Sequence, residues 1–265
     1  MTRPVFFSDD LSPSSAQVQI GDRVELGGQE GRHAATVRRI EAGESIDIVD
    51  GRGLRLRCLV EASSKQGLIL TVVERMEEAG VTPRIVLVQA LAKGGRDEQA
   101  VETCTELGVD EVVPWQSNRA IVRWTGPKAA KGHAKWESVV RAAAKQSRRS
   151  TVPEVHEVVD SKKLVALVQA IVNEGGAAFV CHEEATMPLT ERILNHGPDH
   201  ERTASCAVGN ACVVVVGPEG GIDPDETAAL EAAGAHLVGL GRNVLRSSTA
   251  GAVAVTLVSA AASRL

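Results

Sequence analysis

The most specific chemical signal in the 265-residue chain is Val213-Val214-Val215-Val216-Gly217-Pro218-Glu219-Gly220-Gly221-Ile222-Asp223-Pro224-Asp225-Glu226. The four valines read as a buried strand, the glycines as a turn, and the remainder as the start of a helix. Asp223 is placed to be the N-cap and Pro224 the first helical residue, with Glu226 completing a capping box. Glycines at the carboxyl end of such a strand leave backbone N–H and C=O groups open to a ligand. The run is not a P-loop, because no Lys-Ser or Lys-Thr follows, and its spacing is not that of a dinucleotide-binding G-x-G-x-x-G. A ligand-free strand-to-helix turn is compatible with the same glycines, so this run alone leaves both readings open.

A second glycine turn follows a second strand, in Leu237-Val238-Gly239-Leu240-Gly241-Arg242-Asn243-Val244-Leu245-Arg246-Ser247-Ser248-Thr249-Ala250-Gly251. The helix expected over Ala250–Ala262 is built from Ala, Gly, Val and Ser, which permit close backbone packing in the sheet or in a subunit interface. Two strand-end loops within 25 residues of each other, one bearing an arginine and hydroxyls, would enclose a pocket with apolar walls and backbone hydrogen bonds. Such a pocket suits an adenine-bearing ligand better than a bare phosphate.

Charge is the third signal. Between Arg119 and Arg149 stand nine Lys/Arg and a single acid, Glu137, in a chain of net charge −5. A basic cluster on an acidic protein points to a polyanion, RNA or DNA. A solvated helix face is the plainer reading, but it usually mixes signs for i,i+4 pairing. The candidate contacts are Arg119, Arg123, Arg148 and Arg149, with Arg3 and Arg38 near the amino terminus. There is no Tyr and few other aromatics, which argues against a stacked-base platform. The five cysteines show no CxxC and no zinc-ligand spacing, so they are expected reduced, with Cys104, Cys181 and Cys212 in the core and no metal. His33, His133, His156 and His182 are scattered and form no catalytic set.

These loops need a frame. Residues 1–77 read as all-β, with strands near Val5–Phe7, Gln17–Ile20, Ser45–Val49, Leu54–Val60 and Leu68–Val73 and a helical interruption over Gly31–Ile40. A small barrel of five or six strands is expected. The polar, Gly- and Pro-bearing stretch Glu77–Pro83 marks a boundary, giving domains 1–77 and 78–265. Beyond it, strands at Ile85–Ala90, Glu111–Pro114, Thr151–His156, Ala177–Cys181, Ala211–Val216 and Ala235–Leu240 alternate with helices at Asp97–Leu107, Lys131–Ser147, Lys162–Asn173 and Pro224–Ala233. Met187–Asn210 reads as polar and without regular structure. The alternation implies an α/β domain with a mostly parallel sheet covered by helices. No apolar run is long enough to span a bilayer and no secretion signal is evident, so a cytoplasmic location is expected.

Taken together, Gly217-Pro218-Glu219-Gly220-Gly221 and Leu240-Gly241…Leu245-Arg246…Thr249-Ala250 resemble the knotted SPOUT methyltransferases, and most of all the RsmE family of small-subunit ribosomal RNA uridine-N3 methyltransferases. Glu106-Leu107-Gly108-Val109, Trp136, and Gln146-Ser147-Arg148-Arg149 leading to Val152-Pro153 extend the resemblance over nearly the whole chain. It implies a PUA-like RNA-binding N-terminal barrel, a deep trefoil knot in the C-terminal domain, a homodimer, and S-adenosyl-L-methionine bound in a bent form. The implied substrate is small-subunit ribosomal RNA, free or within the assembled 30S subunit. Carried onto this sequence, the cofactor would meet Val216, Gly217, Pro218, Glu219, Gly220, Gly221, Leu240, Gly241, Val244, Leu245, Ser247, Thr249 and Ala250, with Arg246 as the catalytic side chain. Asn243 and Ser248 stand where family members often carry Arg and Glu, which weakens any claim to a carboxylate base. Two other readings stay open. One is a ribose 2′-O-methyltransferase, whose early Asn-x-Gly-x-x-x-Arg segment is not matched by Lys93-Gly94-Gly95-Arg96; the other is a non-catalytic RNA-binding or assembly protein.

Overall fold

The computed structural model describes residues 3–194 and 209–265. Cys206 and much of the stretch expected to lack regular structure lie outside the described residues. The chain forms two compact units, one of residues 1–80 with 144–152 and one of residues 81–143 with 153–265.

The first unit holds β1 (Val5–Phe7), β2 (Leu11–Ser12), β3 (Arg23–Leu26), α1 (Gly28–Arg32), β4 (Ser45–Val49), β5 (Leu54–Ser64) and β6 (Gly67–Glu77). They form a mixed half-barrel sheet in the order β1-β4-β5-β6-β3-β2. The six strands match the expected small barrel in its half-open form, since the two ends of that order do not pair among the described residues. The strand expected at Gln17–Ile20 is displaced to β3, because Ser15–Gln17 forms a 3-10 turn. The alternation in β5 is real: Leu54, Leu56 and Cys58 are buried while Arg55 and Arg57, on the opposite face, are half-buried. Phe6, Leu26, Ile46, Ile48, Leu56, Leu68 and Leu70 fill the core.

Residues 144–152, expected in the C-terminal domain, belong instead to this first unit. Ala144 and Val152 pack against Val5, Phe7 and Val49. Backbone bonds join Gly53 N–H to the Ser150 carbonyl at 3.1 Å and Val152 N–H to the Gly51 carbonyl at 2.9 Å. Lys145 reaches Glu30 at 2.7 Å, and Arg55 donates to the Arg148 carbonyl at 2.9 Å. Sequence composition hides this return, because much of it is made by main-chain groups that any residue carries.

The second unit holds β7 (Arg84–Ala90), α2 (Arg96–Glu106), β8 (Glu111–Trp115), α3 (Pro127–Gln146, whose last residues enter the first unit), β9 (Glu154–Val155), α4 (Ser161–Asn173), β10 (Ala177–Cys181), α5 (Leu189–Leu194), β11 (Ala211–Val216), α6 (Pro224–Ala232), β12 (His236–Val238) and α7 (Ser247–Ala261). Its six strands are all parallel, in the order β12-β10-β11-β7-β8-β9. β11 is buried along its whole length, as expected for a parallel strand covered on both faces. Val86, Val88, Val213 and Val215 meet Leu164, Val168, Ile171 and Leu230 of α4 and α6 on one face. On the other face lies α7. A Cβ on Gly251 would stand 3.1 Å from Leu87 Cδ1 and 3.3 Å from Cys104 Sγ, so the absent side chain lets the helix approach. The short helix α5 corrects the expectation of a structureless stretch: its Leu189 and Ile193 are buried, which repays local ordering.

Among the described residues, no helix is long and apolar enough to cross a membrane. The described cysteines, 58, 104, 181 and 212, form no disulfide among the described residues. Burial pushes the thiols of Cys58, Cys104 and Cys181 up to about 12, so they are inert as nucleophiles near neutrality.

Candidate functional site

In an all-parallel sheet the strand carboxyl ends share one edge, and ligands of open α/β sheets collect there. In the second unit a cavity of about 980 Å³ opens at that edge. Both glycine loops line it: Val216 to Ile222 after β11, and Gly239 to Ser247 after β12, with Ala250 behind them. Cys181 at the end of β10 and His182 just after it also line the wall. The cavity thus gathers every residue expected to meet the cofactor except Thr249, which is exposed on α7 and is not among its lining residues.

The first loop is fixed from both sides. Asp223 and Glu226 form the expected capping box, with Pro224 at the helix start. Buried Glu226 does more than cap: its Oε1 accepts from Asn118 N–H at 2.8 Å and from the Ser161 hydroxyl. A Cβ on Gly217 would stand 2.6 Å from Ile222 Cγ1, so only glycine allows the turn to fold back on itself. On the other side, Glu219 Oε1 accepts from Lys93 N–H and from Arg96 Nη1, each at 3.1 Å. Burial opposes the Glu219 charge, but backbone N–H bonds from Glu219 itself and Lys93, with the Arg96 cation, outweigh it and hold the carboxyl below its usual range. Glu219 is therefore an anionic brace, a poor candidate for a base.

The second loop ends at the N-terminus of α7, which begins at Ser247, three residues earlier than expected. Arg246 is its N-cap, with an exposed side chain that makes no hydrogen bond or ion pair among the described residues. It lines the cavity with its guanidinium available. Gly241 takes φ +129°, a conformation L side chains rarely adopt.

The arginines expected to contact nucleic acid fall in several places. Arg119 lines the cavity and pairs with Asp223 at 3.5 Å. Arg123 donates to the Ser117 and Asn118 carbonyls, which shapes the loop carrying Arg119. Arg3 and Arg38 line a separate cleft of about 570 Å³ in the first unit, beside Glu44. Arg148 is exposed on the returning segment, where Arg149 bonds Thr151 at 3.3 Å. The basic run is less unpaired than its sequence implies, because distant acids reach it: Asp223 meets Arg119, Glu98 meets Lys135, and Glu30 meets Lys145. Sequence reasoning missed Arg96, Cys181 and His182. The left-handed pair Gly94 (φ +67°) and Gly95 (φ +73°) before Arg96 was a readable sign of a special turn, and the strand-end rule applied to β10 would have found the other two.

Residues 80–259 match the model of an RNA methyltransferase domain, and residues 26–73 that of an RNA methyltransferase PUA domain. The ribosomal RNA small subunit methyltransferase E of Mycobacterium bovis is 43% identical over 264 residues, covering 100% of this chain and 94% of that one. This chain belongs to the ribosomal RNA small subunit methyltransferase E family. The enzyme of the same name from Bacillus subtilis is 27% identical over 92% of each chain. A crystal structure of the Neisseria gonorrhoeae enzyme, bound to S-adenosyl methionine, superposes with a TM-score of 0.74 at 25% identity, covering 98% of both chains. Family membership makes the half-barrel PUA-like and the parallel α/β unit an RNA methyltransferase domain. Within that family, the cavity's fixed glycine backbone and the unpaired guanidinium of Arg246 suit a group transfer that relies on positioning and electrostatics.

Proposed function

We propose that this protein methylates N3 of a uridine in small-subunit ribosomal RNA, in the cytoplasm, using S-adenosyl-L-methionine bound between the two glycine loops. The observation that carries the reading is the convergence of both loops and the free Arg246 on one cavity. The cavity's volume fits a cofactor of this size, and Gly220 on its wall carries no side chain: a Cβ there would make only ordinary contact with Arg119, at 3.6 Å. When bound, the cofactor supplies an electrophilic methyl group and needs no metal.

The chain's own residues supply the rest. The Glu219 brace and the Asp223 cap hold the first loop before binding, so little ordering remains to be done. N3 of uracil becomes a nucleophile as its proton passes to solvent water and charge spreads onto O2 and O4. The Arg246 guanidinium favours that anion and lowers the cost of deprotonation. RNA is held by Arg119 at the cavity mouth, by Arg3 and Arg38 in their cleft, and by Arg123, Arg148 and Arg149.

The protein acts as a homodimer. On α7, Ala252, Val253, Thr256 and Leu257 remain half-exposed while Ala254, Val255 and Val258 are buried within the chain, which leaves an apolar stripe for a second copy. The trefoil knot is part of the same reading, supported by the crossing from edge strand β12 to a helix packed on the central strands.

The test is methylation of small-subunit RNA in vitro, with the product nucleoside mapped by mass. N3-methyluridine is expected, and Arg246→Ala should lose turnover by about 100-fold or more while S-adenosylhomocysteine binding persists. A 2′-O-methylated product, or an Arg246→Ala enzyme of full activity, overturns the assignment.

A further inference from the structure

Gln89 is fully buried, and none of the roles assigned above uses it. It stands in β7 opposite Val216, the residue that opens the first glycine loop. Side chains alternate along a strand, so Gln89 shares the face on which Leu87 meets Gly251 of α7. Its Nε2 donates to Ser247 Oγ at 2.9 Å and to the Ala90 carbonyl at 3.2 Å. Its Oε1 has no hydrogen-bond partner among the described residues. A buried amide with an idle acceptor is destabilising where leucine or valine would pack, so its presence calls for a cause.

Ser247 supplies one. A hydroxyl has one proton and two lone pairs. The Gln89 N–H occupies a lone pair, which directs the Ser247 proton away from Gln89, and no described residue accepts that proton. Ser247 lines the cavity next to Arg246. It also opens the first turn of a fifteen-residue helix, where unpaired N–H groups concentrate positive potential.

We infer that Gln89 is a positioning residue, holding the Ser247 hydroxyl as a donor aimed into the cavity. The inference rests on the methyl-transfer reading above. The Ser247 proton goes to a hydrogen-bond acceptor on the bound ligand. Two sources present one, the cofactor and a carbonyl oxygen of the target base, and the measurements separate them.

The experiment compares full-length wild type, Gln89→Met, Ser247→Ala and the double variant. For each, kcat and KM on RNA are measured with the Kd for S-adenosylhomocysteine and the melting temperature. Each single variant should lose about 5–10-fold, the usual worth of one hydrogen bond, and the double variant should lose no more than either single. Loss in Kd places the acceptor on the cofactor, and loss in kcat with Kd unchanged places it on the base. Multiplicative losses overturn the inference, as does a Ser247→Ala enzyme with wild-type constants, which stands as a test even if Gln89→Met fails to fold. A wild-type protein that binds no S-adenosylhomocysteine and transfers no methyl group overturns the underlying reading as well, so the two failures are distinguishable.

Discussion

Replacing Glu219 by Ala removes the anchor between the first glycine loop and the start of α2. The carboxylate accepts two bonds of 3.1 Å, one from a backbone N–H and one from a guanidinium. Hydrogen bonds to a charged group contribute about 1.5–3 kcal/mol when buried. Here the Glu219 side chain is 27% exposed and that of Arg96 45%, so solvent screening reduces the pair to roughly 1–2 kcal/mol. Because the brace orders a loop that must be ordered when ligand binds, that amount should appear in cofactor affinity. The expected effect is a Kd for S-adenosylhomocysteine raised by about 5–30-fold. The fold should survive, since the loop's other side stays pinned by the Asp223–Glu226 capping box. Arg96→Ala removes one of the two bonds and should cost less, and the double variant should add little to Glu219→Ala. Isothermal calorimetry with circular dichroism on the same samples decides it. Wild-type affinity in Glu219→Ala, or losses that multiply in the double variant, would refute the brace.

Gly220→Val should block the cofactor while leaving the fold intact, because Gly220 has no left-handed φ and its Cβ meets only ordinary contacts from 3.6 Å; calorimetry showing wild-type affinity would remove Gly220 from the pocket wall. Gly241→Val is a less clean test, since its φ of +129° would strain any side chain. The Glu111 carboxylate, hydrogen-bonded to His156 at 2.8 Å, raises the pKa of that imidazole despite partial burial. A group raised on folding contributes stability that is full below its unfolded value, about 6.5, and is lost as pH rises through the higher folded value. His156→Gln should therefore flatten the fall in melting temperature above about pH 6.5, and an unchanged pH profile would dismiss the pair. On α7, Leu257→Arg should reduce dimer content and methyl transfer together, measured by sedimentation beside a methylation assay; a fully active monomer would exclude a shared site. Ala254 is the wrong place for that test, because it is wholly buried within its own chain and a larger residue there would overpack the core.

What was legible in the sequence is what neighbours along the chain decide. The capping box at Asp223 and Glu226, the strands Ala177–Cys181 and Ala211–Val216, and the strand-end placement of both glycine loops follow from spacing and side-chain type over a few residues. Parallel order follows too, since apolar-on-both-faces strands alternating with helices have few other ways to be covered. What only the tertiary structure decided is non-local, and it is largely polar. Glu219 is a brace because Lys93 and Arg96 arrive from more than a hundred residues away. Three cations of the basic run are neutralised by acids from other elements, which i,i+4 arithmetic along one helix cannot foresee. Residues 144–152 join the N-terminal unit through main-chain bonds as much as side-chain packing. Gln89 reads as one polar letter in an apolar strand until the fold sets it 2.9 Å from Ser247. Hydrophobic patterning is periodic and therefore readable in one dimension. A hydrogen bond needs two groups at the right distance and angle, and only the folded chain provides that.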